Sequence, residues 1–255
     1  IAYFLFLLQR APHLDPHDWD YDEGINLMKA LLVERGYDMF TEIWSDQPPL
    51  LTVTLAGLFR VTGPDVAAAR LLVMALSALP IAWRLLRSLP DRGLLLARPL
   101  GLLLTGYLFW LLVTLGLLQN TAAGVVAALL GVGGVSLAVV RCHGRALWDD
   151  LVSRRGIWLC GEVLFGLALC GFCLFRAYNP EIAATEKPME FGFINATLRS
   201  RAFPPNDPWL SGYAISYYYF GYVLVAMLTR LTGLSSAITF NLAGATLFAL
   251  TVSGS

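Results

Sequence analysis

The sequence predicts an all-α, polytopic membrane protein with about seven spanning segments and two polar loops, carrying short interfacial helices, on one face. Three observations predict it. Hydrophobic residues make up 57% and charged residues 14% of the 255 residues, with a mean hydropathy of +0.63, whereas soluble domains carry about a quarter charged residues. The apolar residues gather in near charge-free segments close to the roughly 20 residues that a helix needs to cross a bilayer. The charges gather between them, in two polar, proline-bearing islands (10–49 and 176–211) and two arginine-rich connectors.

The charge balance excludes some classes of partner. Lys plus Arg and Asp plus Glu both number 18, so no net field draws in nucleic acid, and none is expected as a partner. Cys142, Cys160, Cys170 and Cys173 give no disulfide framework. Three of them lie in one apolar segment, where a thiol behaves as a small hydrophobe. Cys170-x-x-Cys173 has no second pair to complete a zinc site. The chain opens on IAYFLFLLQR, without Met or a basic leader, and closes in or just after an apolar segment. The expectation is a fragment of a longer membrane protein, for which no cleavable signal can be argued.

Taken in order, 1–8 reads as the tail of a first spanning helix. The first island then holds nine of the 18 acids. Within it, 23–35 places Ile25, Leu27, Met28, Leu31 and Leu32 at helical spacing, an amphipathic interfacial helix that Gly36 stops. Pro48-Pro49 opens 50–61, which is too short to cross and is read as interfacial. Asp65 is a plausible N-cap for the first complete span, 66–86. A connector with Arg84, Arg87, Arg92 and Arg98 against Asp91 follows. Residues 100–118 span, Gln119-Asn120 turn, and 122–140 return. The next connector carries Arg141, Arg145, Arg154 and Arg155. Residues 157–175 then span into the second island. From Tyr217, 217–228 and beyond span back to Arg230, and 236–252 form the last span.

Arginine and lysine in short loops mark the cytoplasmic side. With the first helix running outward, alternation puts both basic connectors and Arg230 inside. It puts both islands and Gln119-Asn120 outside, provided 50–61 does not cross. The expected location is therefore the inner (cytoplasmic) membrane, multi-pass, with loops 10–49 and 176–211 on the outer face and the lipid bilayer as a partner.

The islands hold the chemistry. Asp22-Glu23 opens the amphipathic helix, where the helix dipole favours acids. The same pair suits a general base on an acceptor hydroxyl, with its neighbour assisting or holding a divalent cation, Mg or Mn. In the second island Glu186 and Glu190 share a helical face if Pro188 lies in the first turn. They read either as base and metal residues or as solvated helix-start acids beside Lys187. Arg199 and Arg201 suit a phosphate or a lipid headgroup. Trp209, Tyr213, Tyr217, Tyr218 and Tyr219, with Asp207, form either an aromatic belt at the membrane boundary or a platform for a sugar. His13-x-Asp15-x-His17-Asp18 has metal-ligand residue types, but Pro12 and Pro16 break the helix that would align them. Glu162 is an ionisable group near a span's end and a candidate by that fact. Asn195-Ala196-Thr197 fits a glycosylation sequon.

The run DEGINLMKALLVERGYDMFTEIWSDQPPLL through FRVTGPDVAAARLL resembles the N-terminal region of GT-C glycosyltransferases, the protein-mannosyltransferase and aminoarabinose-transferase-like enzymes. In that resemblance Asp22-Glu23 falls at the acidic pair of the first outer loop, Pro48-Pro49 at the proline pair, and Arg70 at the arginine of the next span. Gln47 stands where some relatives have Lys. From about residue 75 onward, RAYNPEIAATEKPMEFGFINATLRSRAFPPNDPWLSGYAISYYYFG and its flanks are similar to the "YYY" multi-spanning proteins of chloroflexi and archaea, with Glu190 in place of Asp. Two domains are expected, 1–80 and 81–255. Each island has an early acidic site followed by a proline pair (Pro48-Pro49, Pro204-Pro205), which suggests a tandem.

The first resemblance implies transfer of a sugar from a polyprenyl-phosphate donor to an acceptor on the outer face. Asp22 and Glu23 would be catalytic in the first module, Glu186 and Glu190 in the second. Arg70, Arg199, Arg201, Asp207, Trp209 and Tyr217 to Tyr219 would bind substrate. No glycine-rich phosphate loop competes, because Gly131 to Gly134 lies within a span. The alternative is a non-catalytic transporter or scaffold, which should show broken helices or polar groups deep in its spans.

Overall fold

A computed structural model of the chain describes residues 21–39, 52–53, 56–57, 60, 66–183 and 185–255. All regular structure among them is helical: α1 (Tyr21–Glu34), α2 (Val66–Leu85), α3 (Ala97–Thr114), α4 (Ala122–Ser153), α5 (Arg155–Tyr178), α6 (Lys187–Arg199), α7 (Phe220–Thr232) and α8 (Ser236–Gly254). Two compact units, Ile1–Leu72 and Val73–Ser255, divide the chain.

In the first unit the apolar stripe of α1 is covered. Ala30 and Leu31 are buried with Ala56, flanked by Leu27, Met28 and Val33. The helix stops where the glycine predicts: Gly36 has φ 92°, and Tyr37 N–H returns to Leu32 C=O at 3.1 Å, a left-handed close that a Cβ would oppose. Asp22 and Glu23 fall in the first turn of α1, and Arg70 falls in α2; their side chains lie outside the described residues. So do the first expected span, the His13 to Asp18 motif, Gln47 and Pro48-Pro49.

Among the described residues, four helices are long and apolar enough to cross a membrane: α3, α4, α5 and α8. Their directions follow from who touches whom. Leu95 and Arg98 meet Gly161 and Glu162, so α3 and α5 run in parallel. Arg176 Nε donates to Asn241 Oδ1 at 2.9 Å, Phe172 meets Phe248 at 5.1 Å, and Gly254 lies against Leu96, so α8 runs antiparallel to α5. The 115–121 turn reverses α3 into α4, with Gly116 at φ 73° closing one helix. Thr121 Oγ1 opens the next by accepting from Gly124 N at 3.1 Å, an N-cap that satisfies an orphan amide. One end of the bundle therefore holds that turn, the end of α5 and the start of α8. We call it the loop end.

At the opposite end the two arginine-rich connectors meet. Trp83 Nε1 donates to Asp150 Oδ2 at 2.9 Å, Arg92 pairs with Asp150 at 2.7 Å, and Arg154 donates to the Pro90 carbonyl. Glu162 pairs with Arg98, whose guanidinium sits 4.3 Å from the Phe165 ring; its role is an ion pair between helix starts. The charge pattern placed both connectors on one side, and they share this end.

Two expectations are corrected. The expected connector 141–155 is helical, because α4 runs on to Ser153. Its 32 residues would extend about 48 Å, against a hydrocarbon core of about 30 Å. A break at His143 (φ −134°, ψ 15°) turns the last stretch aside.

The second correction concerns 217–228. Helix α7 starts at Phe220, and its 13 residues are only about 20 Å long. It begins beside Trp110, near the loop end of α3, where Trp110 Nε1 donates to Tyr219 Oη at 3.0 Å. Midway, Leu224 packs where Gly106 leaves room for it. It ends with Thr229 Oγ1 2.7 Å from Thr239 Oγ1 and with Arg230 donating to Leu198 C=O at 2.6 Å. Thr239 lies at the start of α8, so α7 enters and leaves at the loop end. Arg230 therefore sits with the second island rather than opposite it, and α8 runs in the reverse of the expected direction.

Candidate functional site

The second island folds into a cap at the loop end, built on α6. Pro188 takes the second helical position, where its missing N–H is not needed and its fixed φ suits the helix. Glu186 and Glu190 then stand one turn apart, with Glu190 N–H bonded to Glu186 C=O at 2.9 Å. The Glu186 side chain, at the N-cap, makes no capping hydrogen bond. Glu186 is exposed and Glu190 half-buried, both favoured by the positive end of the helix dipole.

Beside the acids lies an aromatic cluster centred on buried Phe193. Trp209 meets it edge-on at 5.1 Å, Tyr217 stacks at 5.7 Å, and Tyr222 lies at 5.4 Å. The Trp209 indole rests on Gly192, where a Cβ would come within 2.7 Å of Cη2. Tyr217 and Tyr218 stack at 3.9 Å, with Tyr217 Oη donating to Tyr218 Oη at 2.6 Å. Trp209 and Tyr218 nevertheless stay 60% and 77% exposed, so one face of the cluster is open to a ligand.

Electrostatics tie the acids to these rings. The Tyr217 phenol, in the loop before α7, is pushed up to about 12, first by its hydrogen bond to Tyr218, then by burial and by the negative charges of Tyr218 and Glu186. Tyr222, in the first turn of the non-crossing α7, is raised by burial and then by Glu190, Tyr218 and Glu186. Both carboxylates thus lie close enough to the cluster for their charge to act on its phenols.

Other expected site residues are placed differently. Asp207 Oδ1 accepts from the N–H groups of Trp209 (2.8 Å) and Leu210 (3.0 Å), an Asx turn that shapes the 206–214 hairpin. The hairpin closes through Asp207 N–H to Tyr213 C=O at 2.8 Å and the Asn206–Ala214 bridge. Tyr219 is turned inward to Trp110. Arg199 is exposed in the last turn of α6, about 14 Å along the axis from Glu190 and about 20 Å from Glu186, and exposed Arg201 follows it. The fold does not bring these arginines to Glu186 and Glu190. The sequon is occupied structurally: Asn195 Nδ2 donates to Phe191 C=O, its Oδ1 accepts from Ser236, and Thr197 is buried. Among the described residues no group of three or more His, Cys, Asp or Glu could hold a metal ion.

Sequence reasoning missed Asn120, read as a turn residue. It is buried, and its Nδ2 donates to the carbonyls of Thr197 (2.6 Å) and Ser200 (2.7 Å). Its backbone N–H donates to Arg201 C=O at 2.9 Å. It caps the C-terminus of α6 from a different loop. A tertiary cap of this kind leaves no local signal beyond an asparagine in a turn.

Residues 104–255 match the family described as "Uncharacterized membrane protein (DUF2298)". The match takes in most of α3, all of α4 to α8 and the whole acid–aromatic cap. No curated protein and no solved structure matches the chain.

Proposed function

Because the chain belongs to the uncharacterized membrane protein family DUF2298, whose description supplies a membrane setting and no activity, we propose its function from the cap: transfer of a sugar from a polyprenyl-phosphate donor to an acceptor. The observation that carries this reading is the pair Glu186 and Glu190, one turn apart at the start of α6, near the Phe193 cluster whose Trp209 and Tyr218 stay open to solvent. Exposed aromatic faces suit the C–H face of a pyranose, and a half-buried carboxylate one turn from another suits a general base. In this reading one of the two removes the acceptor's O–H proton as its oxygen bonds to the anomeric carbon. The C–O bond to phosphate breaks, and polyprenyl phosphate leaves.

A leaving phosphate needs a cation close to the sugar. We assign this to Lys187, half-buried between the two acids, and not to Arg199 and Arg201 at the far end of α6. For the first loop the corresponding proposal is Asp22 as base, with Glu23 assisting or holding Mg or Mn, and Arg70 near the donor. It rests on the sequence resemblance and on the acids' place in the first turn of α1. Outer-face placement in the inner membrane is part of the same proposal, and the arginine-rich opposite end supports that orientation under the positive-inside rule.

One observation favours the alternative of a transporter. Helix α7 is a short apolar helix that does not cross, joined to α6 by irregular backbone, and broken helices of that kind hold substrates in transporters. The test is turnover of radiolabelled polyprenyl-phosphate sugars by membranes carrying the protein. Transfer of label from at least one donor supports the enzyme. No turnover with any donor, at good expression, contradicts it and turns attention to transport.

A further inference from the structure

We propose that the arginine end binds the headgroups of anionic lipids through a shelf formed by the end of α2 and the kinked arm of α4. The chain has no net charge, yet this end gathers eight of its arginines (Arg84, Arg87, Arg92, Arg98, Arg141, Arg145, Arg154 and Arg155) and no lysine, against Asp91, Asp149, Asp150 and Glu162.

Most of those acids are engaged. Asp91 accepts from the N–H groups of Gly93 (3.0 Å) and Leu95 (2.9 Å) within its own turn. Asp150 holds Arg92, Trp83 and Arg154, and Glu162 holds Arg98. Arg84, Arg87, Arg141, Arg145 and Arg155 are exposed, with exposed Asp149 as the remaining acid among the described residues of this end.

The arm after the His143 break is amphipathic in a particular way. Leu147 is buried, and Asp150 is held by Trp83 of α2 and by Arg92 of the 86–96 connector, which fixes the inner face. The outer face presents Arg145, Trp148 and Val152 at helical spacing, with Trp148 62% and Val152 47% exposed. An indole and an apolar side chain beside guanidinium groups match the boundary between headgroup and acyl chain. Arginine forks take phosphate in two-point contact, which a hydrated ammonium does not. The contact Trp83–His143 (6.1 Å) brings the α2 end, with Arg84 and Arg87, to the level of the break. The occupant that fits this charge and this apolar edge together is a bilayer lipid with an anionic headgroup.

The test uses the full chain in bilayers of equal parts phosphatidylcholine and phosphatidylglycerol. Electron spin resonance reads the association of spin-labelled phosphatidylglycerol relative to spin-labelled phosphatidylcholine. The wild type should prefer phosphatidylglycerol by roughly fivefold or more, the effect of one or more surface arginines. The combined variant Arg84→Gln, Arg87→Gln, Arg141→Gln, Arg145→Gln should bring the ratio near one, with the gel-filtration profile and helical circular dichroism unchanged. Arg199→Gln with Arg201→Gln, at the other end, should leave it as in the wild type. Equal association of the two lipids with the wild type overturns the proposal. So does a preference that survives in the fourfold variant, or one lost equally in the Arg199 and Arg201 variant. Should the fourfold variant fail to fold, the pair Arg141→Gln, Arg145→Gln must still lower the ratio, and no change there is equally decisive.

Discussion

Asn120 reaches from the turn between α3 and α4 to cap α6, its side-chain amide 2.6 Å from the Thr197 carbonyl. The two residues lie 77 positions apart in sequence, and both are buried. This bond fixes the end of α6 whose other end carries the acids. Asn120→Ala should cost about 1–3 kcal/mol by leaving the Thr197 and Ser200 carbonyls without donors. The check is the thermal midpoint in detergent. Asn120→Asp should be worse, because a carboxylate faces those same carbonyls.

The tyrosine pair makes a pH prediction with a definite sign. The Tyr217 phenol is raised from 10.0 to about 12 in the folded chain, so folding favours its neutral form. That contribution is complete below about pH 10 and is lost as pH rises through about 12. Absorbance titration should show a late-ionising tyrosine in the wild type. Tyr218→Phe removes the largest cause and should bring that midpoint down toward 10.0.

The path of α7 is open to a direct check. In a cysteine-free background, Ser211→Cys and Ser235→Cys should react with an impermeant maleimide from the same side of sealed vesicles. Ser88→Cys should react from the opposite side. Reaction of Ser235→Cys from the Ser88 side would mean that α7 crosses.

At the arginine end, Asp150→Ala removes the acceptor of Trp83 and the partner of Arg92. The pair is partly exposed, so the loss should be modest, about 1–2 kcal/mol, read as a lowered thermal midpoint. Arg92→Ala should cost less, because Trp83 and Arg154 still hold Asp150.

Much of the fold was legible because its signals are local. Length and apolarity mark α3, α5 and α8, and the start of α4, within a few residues of their observed bounds. Arginine spacing put the two connectors at one end, and both the Gln119-Asn120 turn and the second island lie at the other. The start of α6 was legible through Pro188. What escaped is tertiary. A helix that enters and leaves at one end of the bundle has the same apolar composition as one that crosses, so α7 was read as a span. The break at His143 left no proline or glycine pair as a marker, so the arm of α4 was read as a loop. Asp207 carries a charge that suggests ligand binding, yet the Asx turn takes up one of its oxygens. The gathering of Glu186 and Glu190 at the Phe193 cluster was foreshadowed by residue types, while the separation of Arg199 from them is a matter of helix length.

The central claim is that the cap on α6 carries out sugar transfer, and its most direct test sets Glu190→Gln beside Asp22→Asn and wild type. Membranes with matched protein levels are given the radiolabelled polyprenyl-phosphate sugar that the wild type turns over best. The account predicts that Glu190→Gln lowers transfer by roughly a hundredfold or more, the scale of a lost general base, with donor binding retained. Undiminished transfer by Glu190→Gln and by Glu186→Gln would contradict it, and loss in Asp22→Asn with the cap variants unaffected would move the chemistry to the first loop.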